Sequence, residues 1–234
     1  MLTVAILAGG LAQRLRPLTD KTPKSLIKVN GKPFIFWQLS YLATQGVKNV
    51  VICSGFLGSA IELAVGDGSQ FGLNVIYSED GNVPLGTGGA LTQASKHLGK
   101  LFFVMYGDSF LPIDFAEVYR VFINTPKPSL MTVMKNEDRW DRSNTAVKNG
   151  LVIAHSKSVK NDQMKYIDYG LGILPTTTLS FQPLGNPYDL SELYTELALA
   201  RELIAYEMHQ RFYEIGSHSG LKETELFLKE GKYL

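Results

Sequence analysis

TVAILAGG, residues 3–10, is an unbroken apolar run that stops on paired glycines. A strand apolar on both faces needs a layer packed on each side, which places it inside a parallel sheet. Working outward, Ile35, Leu39, Leu42 and Ala43 recur at helical spacing after Pro33, and Gly46 stops that helix before the apolar run NVVICSGF, residues 49–56. Strand, helix and strand make one βαβ unit. LNVIYSE (73–79), a second glycine loop, the helical GGALTQASKHL (88–98) and the strand LFFVMYGDSF (101–110) repeat the alternation. The expectation is a Rossmann-like, doubly wound, mostly parallel α/β sheet with ligands at the carboxyl ends of its strands, where each glycine loop falls.

From about Pro126 the pattern changes. SLMTVMK, TAVKNG, LVIAHS and IDYGLGILP read as short strands, with Asn149-Gly150 as a turn between two of them. These suggest a smaller β-rich lobe. SELYTELALARELIAYEM (191–208) reads as one long helix opened by Ser191, RFYEIGS (211–217) as a last short strand, and a closing helix follows from about Ser219. The plan is one domain over 1–234, with a core at about 1–125 and the lobe and closing helices at about 126–234.

Of 234 residues, 45% are hydrophobic and 19% charged, enough to bury a substantial core, while a net charge of +1 argues against the broad attraction that nucleic acid or acidic lipid would exert. The start carries no basic segment, and no apolar run reaches the roughly 18 residues that span a bilayer, so the expected location is the cytoplasm, away from membranes. The one cysteine, Cys53, sits in an apolar run and reads as core. His97, His155, His209 and His218 show no metal-ligand spacing, and no Ser/His/Asp or Cys/His grouping suggests a covalent mechanism.

The chemistry concentrates in LAGGLAQRLRPLTDKTPKSL, residues 7–26. Paired glycines after a strand let backbone N–H groups approach a polyphosphate, and Arg14, Arg16, Lys21 and Lys24 add charge. It is neither a Walker A loop nor a dinucleotide fingerprint, because GxxxxGK[ST] and the third glycine are both missing. Together with IKVNGKPFI (27–35), the segment resembles the sugar-phosphate nucleotidylyltransferase signature LAGGxGTRLxPLTxxxPKxLxPVxGKP. Ala12 and Gln13 depart from it, and Ala12 tolerates positive φ less well than glycine. PLGTGGA (84–90) is similar to that family's nucleoside-binding loop, and Asp108 in MYGDSF to its metal-binding aspartate at a strand end.

The resemblance implies a Mg²⁺-dependent transfer of a nucleotide from a nucleoside triphosphate to a sugar 1-phosphate, with pyrophosphate released. It makes Arg14 and Lys24 catalytic, Leu7, Ala8, Gly9, Gly10, Pro84, Gly86, Thr87 and Gly88 nucleotide-binding, and Asp108 a metal ligand. Glu214, where an aspartate is usual, becomes the second metal ligand. Lys157 and Gly170 match a stretch near the sugar phosphate. Ser156 replaces an acidic residue there, for which Asp168 or Asn144 can substitute, and Gly107 joins this acceptor side.

Gly9-Gly10 tilts the base towards guanine and the acceptor towards heptose- or mannose-1-phosphate. Uridylyl transfer to an amino-sugar phosphate and cytidylyl transfer to a non-sugar phosphate are alternatives within the family. From other classes stand a glycosyltransferase, against which Asp108-Ser109-Phe110 lacks a second carboxylate, and a silent nucleotide-sugar sensor. A homo-oligomer is left open.

Overall fold

The computed structural model describes residues 2–10, 15, 17–55, 57–136, 138–139 and 142–231. At its centre runs β1 (Thr3–Leu7), in which Val4, Ala5 and Ile6 have no exposed surface. Alternation divides it: Val4 and Ile6 enter the core on one face of the sheet, Ala5 and Leu7 the core on the other. A small hairpin of β2 (Lys28–Val29) and β3 (Lys32–Pro33) turns on Asn30-Gly31, both at positive φ (50° and 80°). Then come α1 (Phe34–Thr44), β4 (Asn49–Ser54), α2 (Gly58–Val65), β5 (Asn74–Glu79), α3 (Gly86–Leu98) and β6 (Leu101–Tyr106). Burying Ile35, Leu39 and Leu42 of α1 contributes about 1.5–3 kcal/mol for each side chain.

The second half continues with β7 (Ser109–Phe110), α4 (Phe115–Ile123), β8 (Ser129–Lys135), β9 (Thr145–Lys148), β10 (Leu151–His155), β11 (Tyr166–Pro175), α5 (Leu190–Leu199), β12 (Leu203–Met208), β13 (Tyr213–Glu214) and α6 (His218–Glu230). Its larger strands extend the sheet of the first half, in the order β5-β4-β1-β6-β11-β8-β12-β10-β9. β5, β4, β1 and β6 are parallel, as the alternation of the first half requires. β11 runs antiparallel between β6 and β8, β12 is parallel to β8, and β10 and β9 close that side as an antiparallel pair. Buried side chains of α1, α2, α4 and α6 pack on one face, and those of α3 and α5 on the other. The α/β architecture is therefore the expected three-layer one.

One reading fails. Residues 191–208 are not one helix: α5 ends at Leu199 and β12 follows. Asp189, not Ser191, caps α5, in a capping box with Glu192. At the other end, the Arg201 N–H donates to the Ala198 carbonyl and the Glu202 N–H to the Leu197 carbonyl, with Arg201 at φ 60°. This is a Schellman termination with arginine where glycine is usual, which hides the stop in the sequence. Leu203 and Ile204 are then buried as strand residues beside β8. No helix among the described residues is long and apolar enough to cross a membrane.

Candidate active site

Four parallel strands, β5, β4, β1 and β6, end side by side, and their continuations are stitched together. The Ala8 N–H donates to the Cys53 carbonyl (2.8 Å), the Asp80 N–H to that of Ser54 (2.9 Å), and the Gly107 N–H to that of Leu7 (2.9 Å). A Cβ on Gly107 would sit 2.7 Å from the Leu7 carbonyl oxygen, so only glycine lets β1 and β6 close in this way. Over these ends lies a cavity of about 360 Å³. Leu7, Ala8, Gly9 and Gly10 line it together with Pro84, Gly86 and Thr87 of the second glycine loop, and with Lys24, Gly107 and Asp108. Arg14, together with Arg16 and Ala12, lies outside the described residues.

Gly88 takes a different place. Its N–H donates to the Tyr188 carbonyl (3.0 Å), and a Cβ there would overlap the Tyr188 ring, which is buried and hydrogen-bonded to Thr92 (3.0 Å). The glycine serves packing between α3 and the start of α5. Alanine gains about 1 kcal/mol of helix propensity, but overpacking a pinned ring costs about 1–3 kcal/mol. Gly88→Ala is expected to lose stability on balance, read as a lower urea midpoint; an unchanged or higher midpoint would contradict the packing role.

Lys24, in a single 3-10 turn (Lys24–Leu26), places Nζ 2.6 Å from Asp108 Oδ2, with its side chain only 18% exposed. Asp108 Oδ1 accepts the Ser109 hydroxyl (3.2 Å). Glu214 arrives through strand pairing: β13 lies antiparallel to β7, opposing Glu214 to Ser109, and the Ile215 N–H donates to the Asp108 carbonyl (2.9 Å). The extra methylene of Glu214 is housed by glycines, since a Cβ on Gly220 would overlap the carboxylate and one on Gly216 would stand 3.0 Å from Lys24 Nζ. That carboxylate accepts the Gly216 N–H and the Ser217 hydroxyl (2.7 Å), facing the start of α6. Two carboxylates whose backbones this pairing brings together are hard oxygen donors of the kind that suits Mg²⁺, which keeps waters and takes further ligands from phosphates. No cluster of three or more metal-binding side chains occurs among the described residues.

The acceptor-side candidates meet around Tyr106, a wall of the cavity that sequence reasoning passed over. Its hydroxyl donates to Asp168 Oδ2 (2.9 Å), the Asp168 N–H to Asn144 Oδ1 (3.1 Å), and the Gly170 N–H to Asp168 Oδ1 (2.9 Å). Gly170, at φ 107°, sits in a register shift of β11 between Asp168 and Gly172. Burial, then the Asp168 charge, pushes the Tyr106 hydroxyl well above its usual value, so it stays a donor. Lys157 reaches over the Tyr106 ring, 5.8 Å from its centre, and pairs with Asp189 (2.8 Å). Ser156 accepts the Val159 N–H (2.9 Å) and so shapes the turn that carries Lys157.

Asp80 is the second residue that the sequence reading missed; its one signal is an acid directly after a parallel strand and before a glycine loop. Oδ2 accepts the Leu85 N–H (3.1 Å), while Oδ1 is buried without a partner. Burial raises this carboxyl above its ordinary value, opposed by the Leu85 hydrogen bond. Cys53 beside it is 1% exposed, and burial, with the Asp80 charge, pushes its thiol up to about 12. The folded protein is expected to resist thiol-specific labelling at neutral pH and to react once denatured, because the thiolate is the nucleophile; rapid labelling of the native chain would refute this.

A protein-family model described as Nucleotidyl transferase matches residues 3–160. N-acetylmuramate alpha-1-phosphate uridylyltransferase of Neisseria meningitidis serogroup B is 43% identical over 52% of this chain and 53% of its own, so the match spans about half of that relative. D-glycero-alpha-D-manno-heptose 1-phosphate guanylyltransferase of Campylobacter jejuni is 31% identical over 82% of this chain and 84% of its own. Among solved structures, HddC from Yersinia pseudotuberculosis superposes with a TM-score of 0.83 at 21% identity, covering 97% of this chain and all of that one, a likeness of fold.

Proposed function

The chain belongs to the nucleotidyl transferase family, and on that premise we propose that it is a Mg²⁺-dependent enzyme joining GTP to heptose- or mannose-1-phosphate with release of pyrophosphate. The observation that carries the reading is the Lys24–Asp108 pair, 2.6 Å apart in the lining of a cavity that two glycine loops share. In this reading a triphosphate entering along Gly9-Gly10 presents its α-phosphate to that cation and carboxylate.

In the proposed mechanism a phosphate oxygen of the sugar 1-phosphate attacks the α-phosphorus in line; its P–O bond forms as the bond to pyrophosphate breaks. No protein nucleophile takes part. Transferring a nucleotidyl group brings anions together, so residues act by position and charge. Lys24 compensates charge on the α-phosphate. Lys157 holds the acceptor phosphate from the Tyr106 side, with Asn144, Asp168 and Gly170 towards the sugar, and Gly107 lies on the same acceptor side while its lack of a side chain lets β6 close on β1. Arg14 is assigned to the leaving pyrophosphate on the family resemblance alone. Asp108, with Glu214 sharing its carboxylate between α6 and the ion, would hold Mg²⁺, which supplies charge neutralisation and a template for the phosphates.

In this reading residues up to about 125 bind the nucleotide and the rest the acceptor, and the enzyme works in the cytoplasm with small-molecule partners, alone or as a homo-oligomer. Guanine is preferred because Asp80 lines the cavity with one carboxylate oxygen that lacks a donor, and a guanine edge offers two to that carboxylate once it turns towards the base. The 43% identical uridylyltransferase supports a second reading, UTP with an amino-sugar phosphate.

The deciding experiment measures pyrophosphate release with Mg²⁺ for GTP, UTP, CTP, dTTP and ATP against a panel of sugar 1-phosphates. Release requiring GTP and one hexose or heptose phosphate is the expected result. Preference for UTP selects the second reading, and silence across the panel with nucleotide-sugar binding retained would overturn both.

A further inference from the structure

Residues 188–190 bracket the two sides of the site. The Tyr188 carbonyl accepts the N–H groups of Gly88 (3.0 Å) and Gly89 (3.3 Å), the Tyr188 N–H donates to the Leu85 carbonyl (2.9 Å), and the Leu190 N–H donates to the Thr87 hydroxyl (2.8 Å). This short segment is thereby fastened to the glycine loop that lines the cavity. Asp189, between the two anchors, does something else as well. Its Oδ1 accepts the Ser191 N–H (2.8 Å) at the start of α5, and its two oxygens take Lys157 Nζ at 2.8 and 3.0 Å.

The Lys157 side chain is 45% exposed and that of Asp189 43%, so water screens the pair and its contribution to stability is small. Direction is what the contact supplies. A lysine head on a flexible four-carbon stem samples many positions, whereas one held by two carboxylate oxygens keeps a single free N–H and a fixed place. That place is over the face of Tyr106, at the edge of the cavity.

We propose that Asp189 is a positioning residue: it holds the Lys157 ammonium so that its remaining N–H meets the phosphate of the acceptor, an inference that rests on the acceptor role given to Lys157 above. The same bracket ties that lysine to the nucleoside loop, so one support sets the distance between acceptor phosphate and nucleotide. In-line displacement is sensitive to such placement, and a misplacement of about 1 Å can cost roughly a hundredfold in rate.

Asp189→Ser separates positioning from capping. Serine caps a helix about as well as aspartate, but it is too short to reach Lys157. The melting temperature and the KM for the triphosphate are expected to stay as in the wild type, while kcat/KM for the sugar 1-phosphate falls about tenfold. In a Lys157→Ala background the same substitution is expected to cost nothing further, because the interaction is already gone. Two losses that multiply in the double variant, or an Asp189→Ser enzyme with wild-type kcat/KM, would overturn the inference. A wild type that releases no pyrophosphate with any acceptor takes down the functional reading and this inference with it; normal turnover in Lys157→Ala leaves that reading standing and removes only the role of Lys157 and its support.

Discussion

Lys24→Ala is expected to lower kcat for pyrophosphate release by about a thousandfold, with a smaller change in KM for either substrate. The ammonium lies 2.6 Å from Asp108 Oδ2 and is mostly shielded from water, so no solvent cation can take its place at the same distance. Removing one preorganised charge-stabilising donor of this kind costs about 10²–10³ in kcat in well-studied enzymes. Here two effects act together: the α-phosphate loses its compensating charge, and Asp108 loses the cation paired with its carboxylate. Lys24→Arg retains the charge but not the compact point geometry, and is expected to recover only part of the rate. Measurement at saturating triphosphate and acceptor decides the matter. A loss confined to KM would place Lys24 in ground-state binding and refute the catalytic assignment.

A change of base preference, rather than of overall rate, is the expected result of Asp80→Asn. In the native chain Oδ2 is used by the Leu85 N–H and Oδ1 has no donor. Asp80 lines the cavity, and a guanine edge, which presents N1–H and N2–H₂, would satisfy that oxygen once the carboxylate turns towards the base. Uracil and thymine present one N–H between two carbonyls, which a carboxylate repels. Leaving a buried polar group unpaired costs about 1–3 kcal/mol, or roughly 5- to 150-fold. With asparagine the amide oxygen keeps the Leu85 contact while the NH₂ replaces Oδ1, so a donor faces the base. The ratio of kcat/KM for GTP over UTP is expected to fall by about a hundredfold. If the ratio stays constant while both substrates slow equally, Asp80 merely supports the loop at Leu85. If the wild-type enzyme prefers UTP, the carboxylate is not reading guanine at all.

The first half of the chain was readable because its signals are local. A two-sided apolar run, a glycine pair, and Lys24 and Asp108 at fixed offsets need no knowledge of what lies opposite in space, and the cavity gathers Leu7 to Gly10, Pro84, Gly86, Thr87 and Asp108 as that pattern implies. What escaped depends on partners far along the chain. The antiparallel entry of β11 between β6 and β8 leaves no trace in periodicity. Arg201 in a left-handed conformation carries none of the glycine signal for a helix end. Gly88 looked like a ligand glycine and instead makes room for a ring a hundred residues later in sequence. Tyr106 looked like an ordinary strand residue, and only the fold brings Asp168 and Lys157 to it.

The β6–β11 pairing has a mechanical consequence. β6 leads into Asp108, β11 carries Asp168 and Gly170, and the two strands are hydrogen-bonded neighbours from Met105 with Leu171 to Leu101 with Pro175. On the proposed function, the residues assigned to nucleotide and to acceptor are therefore mounted on one plate, not held between two jaws. No hinge lies between the strands that carry them, so any closing movement has to come from the turns at the plate's rim. An enzyme built this way fixes its reacting distance when it folds, and acceptor choice can drift through rim substitutions while the distance stays put.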